Sequence, residues 1–400
     1  MNNMDVAVVG GTYREVCLEP KIASLRGSGL RAAALLRSLG AHTTLHTCVD
    51  EAADAELVAC LHAFAVEARV RRRPPEIVFS YETPVSPARW SYRAARNEIV
   101  AKAAKVVAFG MIDATWSVEG DAVVIDPQHG ELQGMLAAAR ASSIAVVLNA
   151  HEAARLTGLP AVDAGRALLR HGLDVVVVKQ GALGGLVFSS DLIEAYGAIP
   201  TPVTKTIGSG DAFTAGFAHA WFDNPDMVLD AARAGSRIAA AHSMTDTPQV
   251  VPAQIETLPE PLPHPGDTVP MVYLAAPFFS TAERLLIDTA RSALRDAGVR
   301  VFSPLHDVGY GGDEVASADL EGLSRCQAVL ALLDGGDPGT IFETGWARYA
   351  GIPVVGLVAD PDLHSWTMLR GTEVTLTTDL TSAIYGAAWA AIRYSSGLTS

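Results

Sequence analysis

Basic charge, cysteine and long apolar runs are all scarce in this chain, and each scarcity removes a class of protein. Only 18% of the 400 residues are charged, and 30 Lys and Arg face 44 Asp and Glu, a net charge of -14. That balance disfavours a nucleic-acid partner, because such binding rests on clustered cations that release counterions. The one basic cluster, Arg71-Arg72-Arg73, is short and suits a solvated loop or strand edge better than a phosphate-binding patch. Cys17, Cys48, Cys60 and Cys326 have neither metal-type spacing nor the density of a disulfide framework, so reduced thiols are expected. No apolar run reaches the roughly 18 to 20 residues that span a bilayer. The opening MNNMDVAVVG lacks the basic and apolar regions of a signal peptide. A cytoplasmic protein with no membrane partner is expected.

Lysine is missing altogether beyond a Pro-rich stretch, LPEPLPHPGDTVP, that runs from Leu258 to Pro270 with five prolines in thirteen residues. Such a segment suits an extended linker and cannot sustain a helix. The expected division is therefore 1–257, a linker at 258–270, and 271–400. Before the linker, apolar runs (DVAVVG, KVVAFG, AVVID, IAVVLN, LDVVVVKQG) alternate with Ala-rich helical stretches, one from about Leu30 to Leu39. After it the alternation resumes: MVYLAAPFF, a helix from about Thr281 to Ala297, VRVFSPL, a helix near Leu320, AVLALLDG, a helix from about Thr340 to Tyr349, and IPVVGLV. Leu286, Ala290, Ala293, Leu294 and Ala297 fall on one face of the first of these helices. Continuous apolar strands between helices signal parallel sheets covered on both faces, so two consecutive α/β domains are expected.

In the second domain, DGGDPGTIFETGWARYAG follows a buried strand and opens a helix, which places it at the strand ends where open α/β sheets bind ligands. Glu343 is expected in the first turn of that helix, with Gly339 and Gly345 permitting close backbone approach. A Glu there has a plain explanation in the helix dipole. Asp337 lies six residues earlier, Asp319 heads the preceding helix, and Tyr273 ends the first strand, so all four can converge on one crevice. Together VYLAAPFF, DLEGL and DPGTIFETGWA resemble the signature blocks of the nucleoside 2-deoxyribosyltransferase family, over essentially the whole domain. The resemblance implies a flavodoxin/Rossmann-like parallel sheet and makes Glu343 the nucleophile that attacks the anomeric carbon. It makes Tyr273 the group that orients Glu343, Asp319 a proton source for the leaving base, and Asp337 a substrate contact near the 5′ end. An oxocarbenium-like transition state needs such a carboxylate and proton donor in any case. Asp337 would repel a 5′ phosphate, which favours a free nucleoside. Ala276 replaces a frequent Gly, and the Asp319 to Glu343 interval is slightly short, so base preference stays open. The family also implies an oligomer whose sites borrow residues from a neighbouring subunit.

The sharpest motif before the linker is TIGSGDAFTAGF. Gly208, Ser209 and Gly210 leading into a helix would offer free N–H groups to phosphate oxygens, and Asp211 beside them could take the proton of an attacking hydroxyl. The alternative is a glycine turn with Asp capping a helix. Most of residues 4 to 256 resembles the ribokinase-like (PfkB-type) sugar and nucleoside kinases, which implies a three-layer α/β/α sandwich, ATP and Mg2+. By that resemblance, LNAHEAARLTG makes Asn149 and Glu152 organisers of magnesium through water, VVVKQGALGGLVF puts Lys179 and Gly181 near ATP, and RGSGLRAAALLRSLG holds the acceptor. Arg26 and Arg31 stand where that block is usually neutral, and GGTYREV lacks the usual substrate Asp. The two arginines suit an anionic acceptor, or else ion pairs with Glu15 or Glu19. Residues Glu76 to Tyr92 alternate enough for a small β lid.

The expected function is a bifunctional enzyme: one domain cleaves or exchanges an N-glycosidic bond through a glycosyl-Glu343 intermediate, the other phosphorylates a sugar or nucleoside hydroxyl. Small-molecule nucleosides, nucleobases and sugars are its expected partners. The alternatives are a glycohydrolase acting on a nucleotide or dinucleotide, and a nucleotide-sensing module with little turnover.

Overall fold

The central strands of the N-terminal region read as unbroken apolar runs because each of their faces meets its own layer of helices. The computed structural model describes residues 4–73, 76–90 and 97–398. From one edge the main sheet runs Ile193–Tyr196, Gly185–Phe188, Val175–Lys179, Ala139–Asn149, Ala114–Asp126, Lys105–Phe109, Asp5–Val9, His42–Val49 and Glu67–Arg72. Gly185–Phe188 runs antiparallel to both of its neighbours, and every other pairing in this sheet is parallel, including that of Asn97–Lys102 with Ala114–Asp126. Side-chain alternation sorts each strand between two cores. Val8, Val107, Val124, Val147 and Val177 pack with helices Gly27–Ser38, Ser209–Asp223 and Val228–Ser243. Val9, Val106, Val123, Val146 and Val176 pack with Leu132–Ala138, Ala150–Thr157 and Ala161–Leu169.

A second, small sheet orders Ile22–Leu25, Arg14–Cys17, Val78–Tyr81 and Arg89–Trp90. Two of its strands come from the segment expected to form a lid, whose last residues Ser91 and Tyr92 lie outside the described residues. The hairpin Arg14–Leu25 was not anticipated, since four-residue strands carry little periodic signal. Arg71 and Arg72 are exposed on the edge strand Glu67–Arg72, where charge discourages pairing with another chain. Arg73 departs from the solvated reading of its cluster. It is buried 3.2 Å from the Asp113 carboxylate and donates to the carbonyls of Cys48 and Thr12.

In the C-terminal region the strands are all parallel, in the spatial order Arg300–Phe302, Met271–Ala275, Ala328–Leu332, Val354–Leu357, Thr375–Thr377. This is the flavodoxin-like order, with its switch point between the strands Met271–Ala275 and Ala328–Leu332. Helix Thr281–Asp296 starts at a capping box of Ser280 and Glu283 and buries Ile287, Ala290, Ala293 and Leu294. Leu286, expected on the buried face, is 37% exposed, because the apolar stripe runs through Ile287. By its contacts the chain divides into two compact units. One is Met1–Lys179, Gly184–Ile199 and Lys205–Pro259; the other is Gln180–Leu183, Pro200–Thr204 and Glu260–Ser400. Two loops that precede the Pro-rich stretch thus group with the second unit. Among the described residues no helix is long and apolar enough to cross a membrane.

Candidate functional site

In the first unit, a pocket of about 240 Å³ opens at the carboxyl ends of the parallel strands, where Gly110, Asp126, Asn149 and Lys179 emerge. Gly27 and Ser28, from the start of helix Gly27–Ser38, form another wall, and the small sheet adds Glu15, Phe79 and Tyr81. Helix Gly27–Ser38 reaches the sheet only because glycines meet: a Cβ on Gly29 would fall 2.5 Å from the carbonyl of Gly10. The remaining wall is the turn into helix Ser209–Asp223, which presents Gly208, Gly210 and Asp211. Gly208 has φ +80° and caps that helix.

Asp211 is buried, and each of its oxygens receives one hydrogen bond. Arg31 donates to Oδ2 at 2.6 Å and Gln128 Nε2 to Oδ1 at 2.9 Å. Burial pushes the Asp211 carboxyl up to about 6, opposed by the Arg31 guanidinium and helped by the charges of Asp126 and Glu15. Lys179 lies 3.2 Å from Asp126, whose Oδ2 also accepts from Thr214 at 2.7 Å. Asn149 and Glu152 line the pocket but also close a reciprocal cap on helix Ala150–Thr157. Burial, then the Asp126 charge, raises Glu152 to about 7, while Lys179 lowers it.

Several expectations change here. Ser209 does not offer a free N–H to a phosphate: its amide and its hydroxyl both donate to the Thr206 carbonyl, at 3.1 and 2.9 Å. Gly181 groups with the second unit and is not among the residues lining this pocket. Arg26 is not among them either. Its guanidinium donates to the Leu25 carbonyl and lies 5.6 Å over the Phe64 ring, on the side of helix Asp54–Phe64. Arg31 takes the internal-pair alternative, since besides Asp211 it holds Glu15 at 2.5 Å, and Glu19 takes no part. Asp126, Gln128 and Tyr13 were missed. Asp126 had a signal, an Asp at the end of the apolar run AVVID, where a buried parallel strand delivers side chains to the ligand crevice.

The second unit carries its own cluster at the switch point. Tyr273, fully buried on the strand Met271–Ala275, donates its hydroxyl to Glu343 Oε1 at 2.6 Å. Helix Pro338–Tyr349 starts earlier than expected, because Asp337 caps it and Pro338 takes the first helical position. Glu343 therefore lies beyond the first turn. The helix-dipole explanation loses its force there, since that effect fades within one turn. Burial raises the Glu343 carboxyl to about 7; the Tyr273 hydrogen bond lowers it, and the charges of Asp319 and Asp337 push it further up. Asp319 sits inside helix Val315–Ser324 rather than at its head. Its Oδ1 is buried with no hydrogen-bond partner among the described residues, and burial raises its carboxyl. Asp337 is committed to the helix end: its Oδ2 accepts from the amide and hydroxyl of Thr340, at 2.7 and 2.9 Å. Gly345 has open space where a Cβ would stand, so no backbone approaches it.

Comparison with known proteins assigns each unit to a family pattern. Residues 22–245 match the pfkB family carbohydrate kinase model, and residues 272–381 match the nucleoside 2-deoxyribosyltransferase model. A 1-phosphofructokinase of Rhodobacter capsulatus is 36% identical over 132 residues, 32% of this chain and 40% of that protein. One from Xanthomonas campestris is 32% identical over 145 residues, covering 34% and 44%. The chain thus spans under half the length of these relatives. Among solved structures, a Vibrio cholerae fructokinase with fructose, ADP and potassium bound has a TM-score of 0.50 at 14% identity, over 65% of this chain and all of that one. Phosphofructokinase-2 of Escherichia coli has a TM-score of 0.48 at 14% identity, over 64% and 98%. The first unit has the ribokinase-like fold.

Proposed function

We propose, for a chain that belongs to the pfkB family of carbohydrate kinases and carries a nucleoside 2-deoxyribosyltransferase domain in tandem, that it processes nucleosides in two steps. The second unit breaks or exchanges the N-glycosidic bond of a free (deoxy)nucleoside, and the first transfers the γ-phosphate of ATP to a sugar or nucleoside hydroxyl. The observation that carries this reading is the 2.6 Å hydrogen bond from Tyr273 to Glu343. A buried carboxylate held by one donor, and raised to about 7, is a stronger nucleophile than a solvated one. Glu343 attacks the anomeric carbon while the base leaves, and Asp319, whose carboxyl burial raises, is the group placed to give the base its proton. Water or a second base then attacks the glycosyl-Glu343 ester and frees the carboxylate.

In the first unit Asp211 accepts the proton of the attacking hydroxyl, and Gly208 and Gly210 line the phosphate end with the helix N-terminus. The pocket lining sets Glu15, Asp126, Glu152 and Asp211 against Arg31 and Lys179, so a triphosphate needs a further cation there. Mg2+ suits that excess. Asn149 and Glu152 would hold it through water, and it would neutralise phosphate charge. Aromatic rings favour a nucleoside acceptor: Tyr13, Phe79 and Tyr81 line the same pocket, with Phe79 5.3 Å from the stacked ring of Trp90. The product of one unit would be the acceptor of the other. A homo-oligomer is expected from the second unit's family.

Purified protein incubated with deoxynucleosides and a second base, with and without Mg-ATP, tests the reading by mass spectrometry of the products. Base release or exchange is expected, followed by a phosphorylated product when Mg-ATP is present. Absence of both release and exchange sinks the glycosyl-transfer claim, and absence of any phosphorylated product sinks the kinase claim.

A further inference from the structure

We infer that Arg31 is a positioning residue of the kinase reaction: clamped between Glu15 and Asp211, it aims Asp211 and holds it as the carboxylate that receives the acceptor's proton. The inference rests on the kinase reading of the first unit. Arg31 projects from helix Gly27–Ser38 and is 4% exposed. One arm of its guanidinium meets Asp211 Oδ2 at 2.6 Å, the other Glu15 Oε2 at 2.5 Å. Glu15 is fixed in turn, since its second oxygen accepts from the amide of Gly27 at 3.1 Å, at the start of the same helix. The clamp has no slack. A planar fork held at both ends sets the direction of the carboxylate it grips.

The glycine turn interlocks with this fork. A Cβ on Gly208 would fall 2.0 Å from Arg31 Nε, so the absence of a side chain lets the guanidinium lie across the turn beside Asp211. Asp211 is held without being blocked. An ionised carboxylate offers about four lone-pair sites; Arg31 and Gln128 use one on each oxygen, which leaves each oxygen able to accept from a hydroxyl. In the transfer itself the acceptor oxygen bonds to the γ-phosphorus of ATP, the bond from that phosphorus to the bridging oxygen breaks, and ADP leaves. The acceptor's proton ends on Asp211.

Charge explains why a neutral residue at position 31 would not serve. Asp211 is buried and feels the like charges of Asp126 and Glu15. The phenol of Tyr81 also faces it, and the Lys179 ammonium is pinned to Asp126, with Glu152 beside that pair. His242, behind Arg31 on helix Val228–Ser243, is held neutral by burial and by Arg31 itself. Among the described residues, Arg31 is the cation paired with Asp211. Without it, burial and the two neighbouring carboxylates are opposed only by the more distant Lys179 ammonium and the Gln128 amide, so the carboxyl holds its proton to higher pH and less base is present at neutral pH.

The test follows Asp211 in the full-length protein by carbon NMR of labelled aspartate across a pH titration, with Asp211→Asn to assign the signal. Arg31→Gln is expected to raise the midpoint by about one to three pH units. Glu15→Gln is expected to lower it, because one like charge goes and the fork turns wholly to Asp211. Arg31→Lys should stay nearer to wild type. Phosphorylation of adenosine and of 2′-deoxyadenosine by Mg-ATP, read as kcat against pH, should show its acid limb moving in the same direction as each midpoint. An unmoved midpoint in both Arg31→Gln and Glu15→Gln overturns the proposal, as does a kcat loss that is uniform in pH. Shifted midpoints with no phosphorylation of either nucleoside by wild type overturn the kinase reading instead, and with it the catalytic role of the clamp. Should Arg31→Gln fail to fold, the opposite shift in Glu15→Gln still decides.

Discussion

Tyr273 and Glu343 divide one task between a strand and a helix, and the pH dependence of glycosyl transfer should report on that division. Glu343 must be ionised to attack, and its carboxyl is raised to about 7. On the acid side the rate of base release therefore falls as pH drops through about 7. Tyr273→Phe removes the hydrogen bond that stabilises the anion, so the acid limb should move to higher pH. A rate profile measured on both proteins checks this; a limb that stays in place argues that Tyr273 only packs. Asp319 is assigned the opposite role, to give a proton, and its Oδ1, buried and without a hydrogen-bond partner among the described residues, is free to meet the leaving base. Residue types at these positions were readable in the chain. Their pairing was not, because Tyr273 and Glu343 stand 70 residues apart.

At the scale of an element, helix Pro338–Tyr349 shows how a binding residue and a capping residue look alike in sequence. Asp337 stood out as a substrate contact, yet its Oδ2 closes the helix through Thr340. Asp337→Ala should cost about 1 kcal/mol of stability, and Asp337→Asn much less, since Asn caps almost equally well. Thermal unfolding of the two variants separates them. If nucleoside KM rises in Asp337→Asn while stability holds, the residue also touches substrate. The same helix explains an error of register. Reading its start near Thr340 placed Glu343 in the first turn, whereas the Asp337-Pro338 pair is itself a start signal. Strands fared better: in the main sheet each run buried on both faces appears where its apolar residues stand. The short hairpin Arg14–Leu25 gave no such signal, and it delivers Glu15 to the pocket.

For the whole molecule, two candidate sites at strand carboxyl ends, one in each unit, predict two separable chemistries. Glu343→Gln should abolish base release and leave phosphorylation of added nucleoside intact, and Asp211→Asn should do the reverse; product analysis of both variants under identical conditions checks it. Loss of both activities in either variant would tie the two reactions to one site. Composition alone disfavoured a nucleic-acid partner, and the Pro-rich stretch and the loss of lysine beyond it marked two α/β parts. Local patterns also determined the strands, most helices and the residue types at the two glycine-flanked crevices, because periodicity and turn chemistry act over a few neighbours. Tertiary structure decided which of those residues meet. Of the two roles open to Arg31 it realised the ion pair, with Glu15 and with Asp211, 180 residues away; it moved Arg26 and Gly181 out of the pocket lining, and brought in Asp126 and Gln128. A buried charge takes whichever partner the packing brings within reach, and the cost of leaving it unpaired is what makes that choice firm.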